Sequence, residues 1–263
     1  MPQLPWHREV IPLHNDEVGR SYQIWVERPA RYEPHGDRRY PVVLCLDAPW
    51  TFGVVSDAFR LLPLSGELPE AIVVGVAHNA PDLHTVIQQR AMDFTPTAAF
   101  APPATGVRVQ PEELGGAASF CRFLAATVLP RALRGLRTTD DRTLIGHSFS
   151  ALLGLAWLLE EPTALARWVL ASPSVWWDDR VIFAREAVQA ASGADLPARV
   201  FLSASEGDEA GADGPFGGHF AFHTQLVSRA RPGLRCTWMS FPGETHSSVV
   251  AAAVVRGLRE VFA

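Results

Sequence analysis

Gly146-His147-Ser148-Phe149-Ser150 is the stretch of this chain best suited to make an activated alcohol. It follows the β-prone run Thr143-Leu-Ile145 and precedes Ala151-Leu-Leu-Gly-Leu-Ala-Trp-Leu-Leu-Glu160, a strong helical pattern. A serine at the tip of a tight strand-to-helix turn is the context a nucleophile elbow requires. Such a turn crowds its neighbours, so the positions two before and two after the serine must be small. Gly146 meets that condition fully and Ser150 approximately. At the start of a helix the N–H of Phe149 is free to point at a carbonyl oxygen under attack, and the helix dipole favours the developing oxyanion. The bland alternative is a tight turn with an idle serine. A buried strand before the motif and a helix after it argue against that.

A serine nucleophile needs a base to take its proton and a carboxylate to orient that base. In elbow enzymes of this kind the chain order is serine, acid, histidine. Phe241-Pro-Gly-Glu-Thr-His246 places a histidine after the last strand candidate and at the start of the last helix candidate, so His246 is the expected base. The acid should follow the strand at residues 199–204, where Ser205-Glu206-Gly207-Asp208-Glu209 offers three carboxylates. Asp208 is the first choice and Glu206 the second; strand alternation does not separate them.

Other residues of chemical interest read less sharply. His78 and His84 fall near the edge of the expected site and could touch a substrate, whereas His7, His14 and His35 precede the sheet and should be solvated. His219 and His223, at i and i+4, could present two metal ligands on one helix face. No glutamate follows His219 and no third ligand is evident, so packing or substrate lining is the better reading and no metal is expected. Cys45, Cys121 and Cys236 sit in apolar surroundings with no CxxC spacing, which suits buried thiols in a reducing compartment.

The elements that must carry these residues alternate along the chain. Strand-like runs occur at residues 22–28, 41–47, 71–77, 143–145, 168–171, 199–204 and 235–241. Helical patterns occur at 56–62, 116–133, 149–160, 181–190, 220–230 and 247–261. This alternation predicts an α/β fold with a mostly parallel central sheet and helices on both faces. The runs at 41–47 and 71–77 are continuous rather than alternating, as in strands buried on both faces. One domain is expected over residues 1–263. Segments of about 81–111 and 207–218 break the rhythm, and they are expected to be lid or pocket-wall loops.

Composition removes several classes of function. The net charge is −5, the pI is about 6.0, and every basic side chain is arginine. Nothing forms the basic face that nucleic-acid binding requires. No apolar stretch of spanning length is present and the first ten residues lack a signal-peptide pattern, so neither a membrane partner nor secretion is expected. A cytoplasmic protein is the expectation. Oligomeric state is not legible, although symmetric homodimers are common among soluble enzymes.

Several blocks together resemble the putative esterase family of α/β hydrolases that includes the siderophore trilactone esterases acting on enterobactin and salmochelin. They are Pro41-Val-Val-Leu-Cys-Leu-Asp47, Leu68-Pro-Glu-Ala-Ile-Val-Val-Gly-Val76, Asp93-Phe-Thr-Pro96 and Gly115-Gly116. Further along come Thr143-Leu-Ile-Gly-His-Ser-Phe149, Ala171-Ser-Pro-Ser-Val-Trp-Trp-Asp178 and Pro242-Gly-Glu-Thr-His246. The resemblance implies an α/β-hydrolase fold and hydrolysis of an ester or lactone through an acyl-enzyme, without metal or organic cofactor. It implies nucleophile and base roles for Ser148 and His246, the acid position at Asp208, and a pocket lined by Trp176 and Trp177. Two core tryptophans are the bland alternative for that pair.

Two positions depart from the family pattern. The second oxyanion donor belongs to the loop after Asp47, where Ala48-Pro49-Trp50 stands; Pro49 has no N–H, so the expected donor is Trp50 or a neighbour. Met92 stands where many relatives carry an arginine that could meet an acidic substrate, and Arg90 is the expected substitute. The leading expectation is therefore a serine esterase or lactonase acting on a small molecule. An acyltransferase or an enzyme that releases or cyclises an acyl chain would use the same chemistry. A non-catalytic binding protein on the same fold is the third reading.

Overall fold

A computed structural model describes residues 8–102, 105–209 and 217–263. Eight strands form one sheet in the order β1-β2-β4-β3-β5-β6-β7-β8. They are β1 (Arg8–Asn15), β2 (Arg20–Glu27), β3 (Tyr40–Leu46), β4 (Ile72–His78), β5 (Thr138–His147), β6 (Arg167–Ala171), β7 (Arg199–Ser205) and β8 (Arg235–Phe241). β1 and β2 pair antiparallel, as do β2 and β4, and every pairing from β4 to β8 is parallel. The mostly parallel sheet of the sequence reading is thus present, with an antiparallel edge.

The order follows from side-chain demand. All seven residues of β4 are buried and six of the seven in β3, so these continuous apolar runs must be covered on both faces. Each fully buried Val, Leu or Ile contributes about 1.5–3 kcal/mol relative to exposure. On one face α1 (Ala48–Leu61) and the last helix, α7 (Val249–Phe262), cover Val43, Cys45, Val73, Ile145, Val169 and Phe201. The other face carries α2 (Leu83–Phe94), α3, α4 (Phe149–Glu160), α5 (Trp177–Ala191) and α6 (His219–Ser228). α3 begins as Ala117–Phe123 and continues through a π-helical stretch, Leu124–Val128, into Leu129–Ala132.

Three expectations need correction. The sheet begins at β1, so His14 lies within it rather than before it; its side chain is exposed. β1 escapes a pattern reading because an edge strand pairs on one side only and can carry a proline, here Pro12, which lacks an N–H for the ladder. Second, residues 83–94 of the supposed loop form α2, which starts where the Asp82 carboxylate accepts the N–H of Thr85 at 2.8 Å. The prolines at 81 and 96 mark its two ends rather than a structureless run. Third, α1 starts at Ala48 rather than residue 56, with Pro49 in its first turn, where a missing N–H costs nothing. Residues 206–209 form one helical turn, and 210–216 of the second expected loop lie outside the described residues, as does His7.

Candidate active site

The elbow forms where β5 ends and α4 begins. Ser148 has φ 60° and ψ −121°, a conformation that a side-chain-bearing residue adopts only under constraint from its surroundings. A Cβ at Gly146 would lie 2.5 Å from the carbonyl oxygen of Ser150, so glycine is required there. Ser150 is fully buried and closes the turn: its hydroxyl donates to the carbonyl of His147 at 2.8 Å and accepts the N–H of His147 at 2.9 Å. Ser150 is therefore a brace of the elbow.

Three side chains meet at the carboxyl ends of the parallel strands. Ser148 Oγ lies 3.0 Å from His246 Nε2, and His246 Nδ1 lies 2.9 Å from Asp208 Oδ1. A carboxylate beside Nδ1 places the proton of neutral His246 on that nitrogen, leaving Nε2 to accept the Ser148 O–H. Asp208 is held by the short turn after β7, where its own N–H donates to Ser205 Oγ at 3.0 Å. Burial opposes its charge, but hydrogen bonding with His246 and with the neighbouring hydroxyls of Ser172 and Ser205, together with attraction to His246, outweighs burial. Asp208 is thereby held below the ordinary carboxylate pKa. Glu206 does not reach the imidazole. Its Oε2 accepts the N–H of Gly243 at 2.8 Å, bracing the loop that carries His246.

The loop that carries His246 has a second tether, one that the residue order alone did not suggest. His147 Nε2 donates to the carbonyl of His246 at 2.7 Å, and the two rings lie 4.6 Å apart. Burial, and then the neighbouring His246, push the pKa of His147 down to about 4. A neutral ring with its proton on Nε2 is the form this bond uses.

Around Ser148 opens a cavity of about 790 Å³, with Trp50, Leu83, Ile87, Trp176 and Val250 in its wall. Trp176 lines it, whereas Trp177 is buried and donates its indole N–H to Thr97 Oγ1 at 3.1 Å. The expectation that both tryptophans line the pocket is corrected to one: the two rings lie 6.0 Å apart and both pack on Phe149, but Trp177 takes the inner, buried place. His78 is also corrected: it is buried and bonded to Asp93 Oδ2 at 2.9 Å, away from the cavity. His84 is exposed on α2, next to Gln88. His219 lines the cavity, whereas His223 stacks on Phe220 and lies tilted against Trp238, outside the cavity wall. Among the described residues no group of three His, Cys, Asp or Glu could hold a metal ion.

Arg90 borders the cavity, but its Nε and Nη2 grip the two oxygens of buried Asp47 at 2.6 and 2.7 Å, and its guanidinium lies 4.9 Å over the Trp50 ring. Its first task is thus to pair Asp47 at the end of β3. Trp50 needs a further correction as an oxyanion donor. Its N–H donates to the carbonyl of Asp47 at 2.9 Å, within the first turn of α1, and Pro49 has none to give. Phe149, first residue of α4, keeps an N–H without an intrahelical acceptor.

Residues 16–209 match the family described as Putative esterase. The chain belongs to that family. This esterase is 28% identical to the ferri-bacillibactin esterase BesA of Bacillus subtilis over 261 residues, covering 95% of this chain and 88% of that protein. It is 32% identical to the siderophore enterobactin esterase of Emericella nidulans over 184 residues, 66% of this chain and 60% of that protein. In fold it is similar to the BES protein of Bacillus cereus, with a TM-score of 0.83, 24% identity and coverage of 100% and 98% of the two chains. An IroE-like serine hydrolase from Shewanella oneidensis superposes with a TM-score of 0.82 at 24% identity, over 97% of this chain and 80% of that one. The fold is that of the α/β-hydrolase esterases, and the chain is an ester hydrolase. No helix among the described residues is long and apolar enough to cross a membrane.

Proposed function

We propose that this ester hydrolase is a serine esterase or lactonase in which Ser148 is the nucleophile, His246 the general base and Asp208 the orienting acid. The observation that carries the reading is the chain of contacts from Ser148 Oγ to His246 Nε2 at 3.0 Å and from His246 Nδ1 to Asp208 Oδ1 at 2.9 Å. Ser148 attacks the ester carbonyl as His246 takes its proton. The tetrahedral oxyanion lies against the Phe149 N–H at the positive end of α4. The intermediate collapses, His246 returns the proton to the leaving alcohol, and the acyl group remains on Ser148. Water then repeats the sequence, with His246 as base, and releases the acid.

The cavity is large enough for a multi-ring ester, and its wall is mainly apolar and aromatic. Together with the siderophore esterases among its relatives, this makes trilactones of siderophore type the first substrates to test. The chain would act as a single domain and, with Cys45, Cys121 and Cys236 unpaired, in a reducing compartment such as the cytoplasm. A fluorophosphonate probe followed by peptide mass mapping tests the reading. Labelling is expected at Ser148 and is expected to vanish in His246→Ala; labelling elsewhere, or none on folded protein, would overturn it.

A further inference from the structure

Ser148 Oγ has a second neighbour, the hydroxyl of Ser174, at 3.4 Å. Ser174 lies in the Ser172-Pro173-Ser174 segment that leaves β6, is 2% exposed, and borders the same cavity. It is fixed from both sides: its N–H donates to the carbonyl of Ser148 at 3.3 Å, and its carbonyl accepts the N–H of Trp177 at 3.1 Å. The hydroxyl is therefore positioned relative to the nucleophile by the backbone of the nucleophile itself.

The direction of the contact follows from the proton inventory. The Ser148 O–H is committed to His246 Nε2, so in the contact between the two hydroxyls Ser174 must be the donor. A donor aimed at Oγ does not help attack, because it draws on the lone pairs that must reach the carbonyl. It helps when that bond breaks. In deacylation water adds to the acyl-enzyme with His246 taking its proton. The C–Oγ bond then cleaves, its electron pair goes to Oγ, and imidazolium returns a proton to that oxygen as the carboxylic acid forms. Ser174 keeps its own proton throughout and meets the negative charge growing on Oγ.

We propose that Ser174 is a further catalytic residue, whose hydroxyl assists departure of Ser148 Oγ in deacylation. The proposal rests on the reading of Ser148 as nucleophile, and its test separates the two. The acyl-enzyme is formed with p-nitrophenyl butyrate, and loss of the adduct is followed by intact-protein mass. In Ser174→Ala the adduct is expected to decay about tenfold more slowly, the cost of one such hydrogen bond. Fluorophosphonate labelling at Ser148, which needs attack but no deacylation, is expected to stay within about twofold of the wild-type rate. Where deacylation limits turnover, kcat and KM fall together and kcat/KM is retained.

Unchanged decay of the adduct, or decay and labelling slowed alike, would overturn the proposal. Ser174→Cys keeps a weaker donor in a similar volume and is expected to fall between the other two. If the alanine variant does not fold, the ratio of decay to labelling in the cysteine variant decides. A wild-type chain that takes no label at Ser148 sinks the nucleophile reading itself, and this proposal with it.

Discussion

His147 donates its Nε2 proton to the backbone carbonyl of His246 at 2.7 Å, so the variable residue of the nucleophile elbow holds the loop of the proposed base. The elbow and the base loop are 99 residues apart in sequence, and this bond ties them independently of the contact between Ser148 and His246. In His147→Ala the base loop loses this tether. Turnover is expected to fall by about tenfold or more, since a small misplacement of a catalytic group costs that much. Retained fluorophosphonate labelling at wild-type rate would show that the tether is dispensable.

The same histidine sets an acid limit on stability. Its folded pKa of about 4 lies below the ordinary 6.5, so between those values the unfolded chain binds a proton that the native chain does not. Stability from this group is whole above about pH 6.5 and is lost as pH falls towards 4. Denaturant midpoints should therefore drop over that window. In His147→Gln, which can still donate to the His246 carbonyl, the drop should be shallower. An equally steep fall in the variant would assign the acid lability elsewhere.

Asp208 and Glu206 stand two residues apart and make different contacts, so their amide variants should separate. Asp208→Asn is expected to lower kcat by on the order of a thousandfold, through loss of the imidazole tautomer and of support for imidazolium. Glu206→Gln leaves an oxygen able to accept the Gly243 N–H and should cost less than about tenfold. Steady-state kinetics on an activated ester decide; equal losses would remove the distinction between the two carboxylates.

The pair of Asp47 and Arg90 is buried beside the cavity, its carboxylate held charged by the arginine against the cost of burial. Removing one partner leaves the other charge uncompensated, and Asp47→Asn or Arg90→Gln should each destabilise the fold by about 3–5 kcal/mol. The double variant should cost less than the sum of the singles. Additive losses in urea denaturation would mean that the two side chains do not depend on each other.

Gly146→Ala would drive a methyl group to 2.5 Å from the Ser150 carbonyl oxygen, deforming the elbow at its brace. A loss of a few kcal/mol of stability is expected, with labelling at Ser148 largely abolished. A stable variant that still labels would mean that the turn can relax.

Much of this protein is legible in its residue order. The alternation of apolar runs, the continuous burial demand of β3 and β4, and a serine between a strand and a helix are all local patterns. Local backbone geometry is enough to express them. Ser148 and His246 stood out as candidates because each sits where a strand gives way to a helix.

What the sequence left open has a common cause: it depends on which way neighbouring side chains point, or on which distant segments touch. Asp208 and Glu206 share one helical turn, yet only Asp208 faces the imidazole. Trp176 and Trp177 are consecutive, and one enters the cavity while the other enters the core. Arg90 pairs with Asp47 across 43 positions, and Ser174 meets Ser148 across 26. The α/β order and the residue types available for chemistry follow from the chain's residue order alone, because side-chain period and local turn sterics set them. Which carboxylate, which tryptophan and which second hydroxyl stand beside Ser148 depends on the fold, because long-range packing of the sheet brings those side chains together.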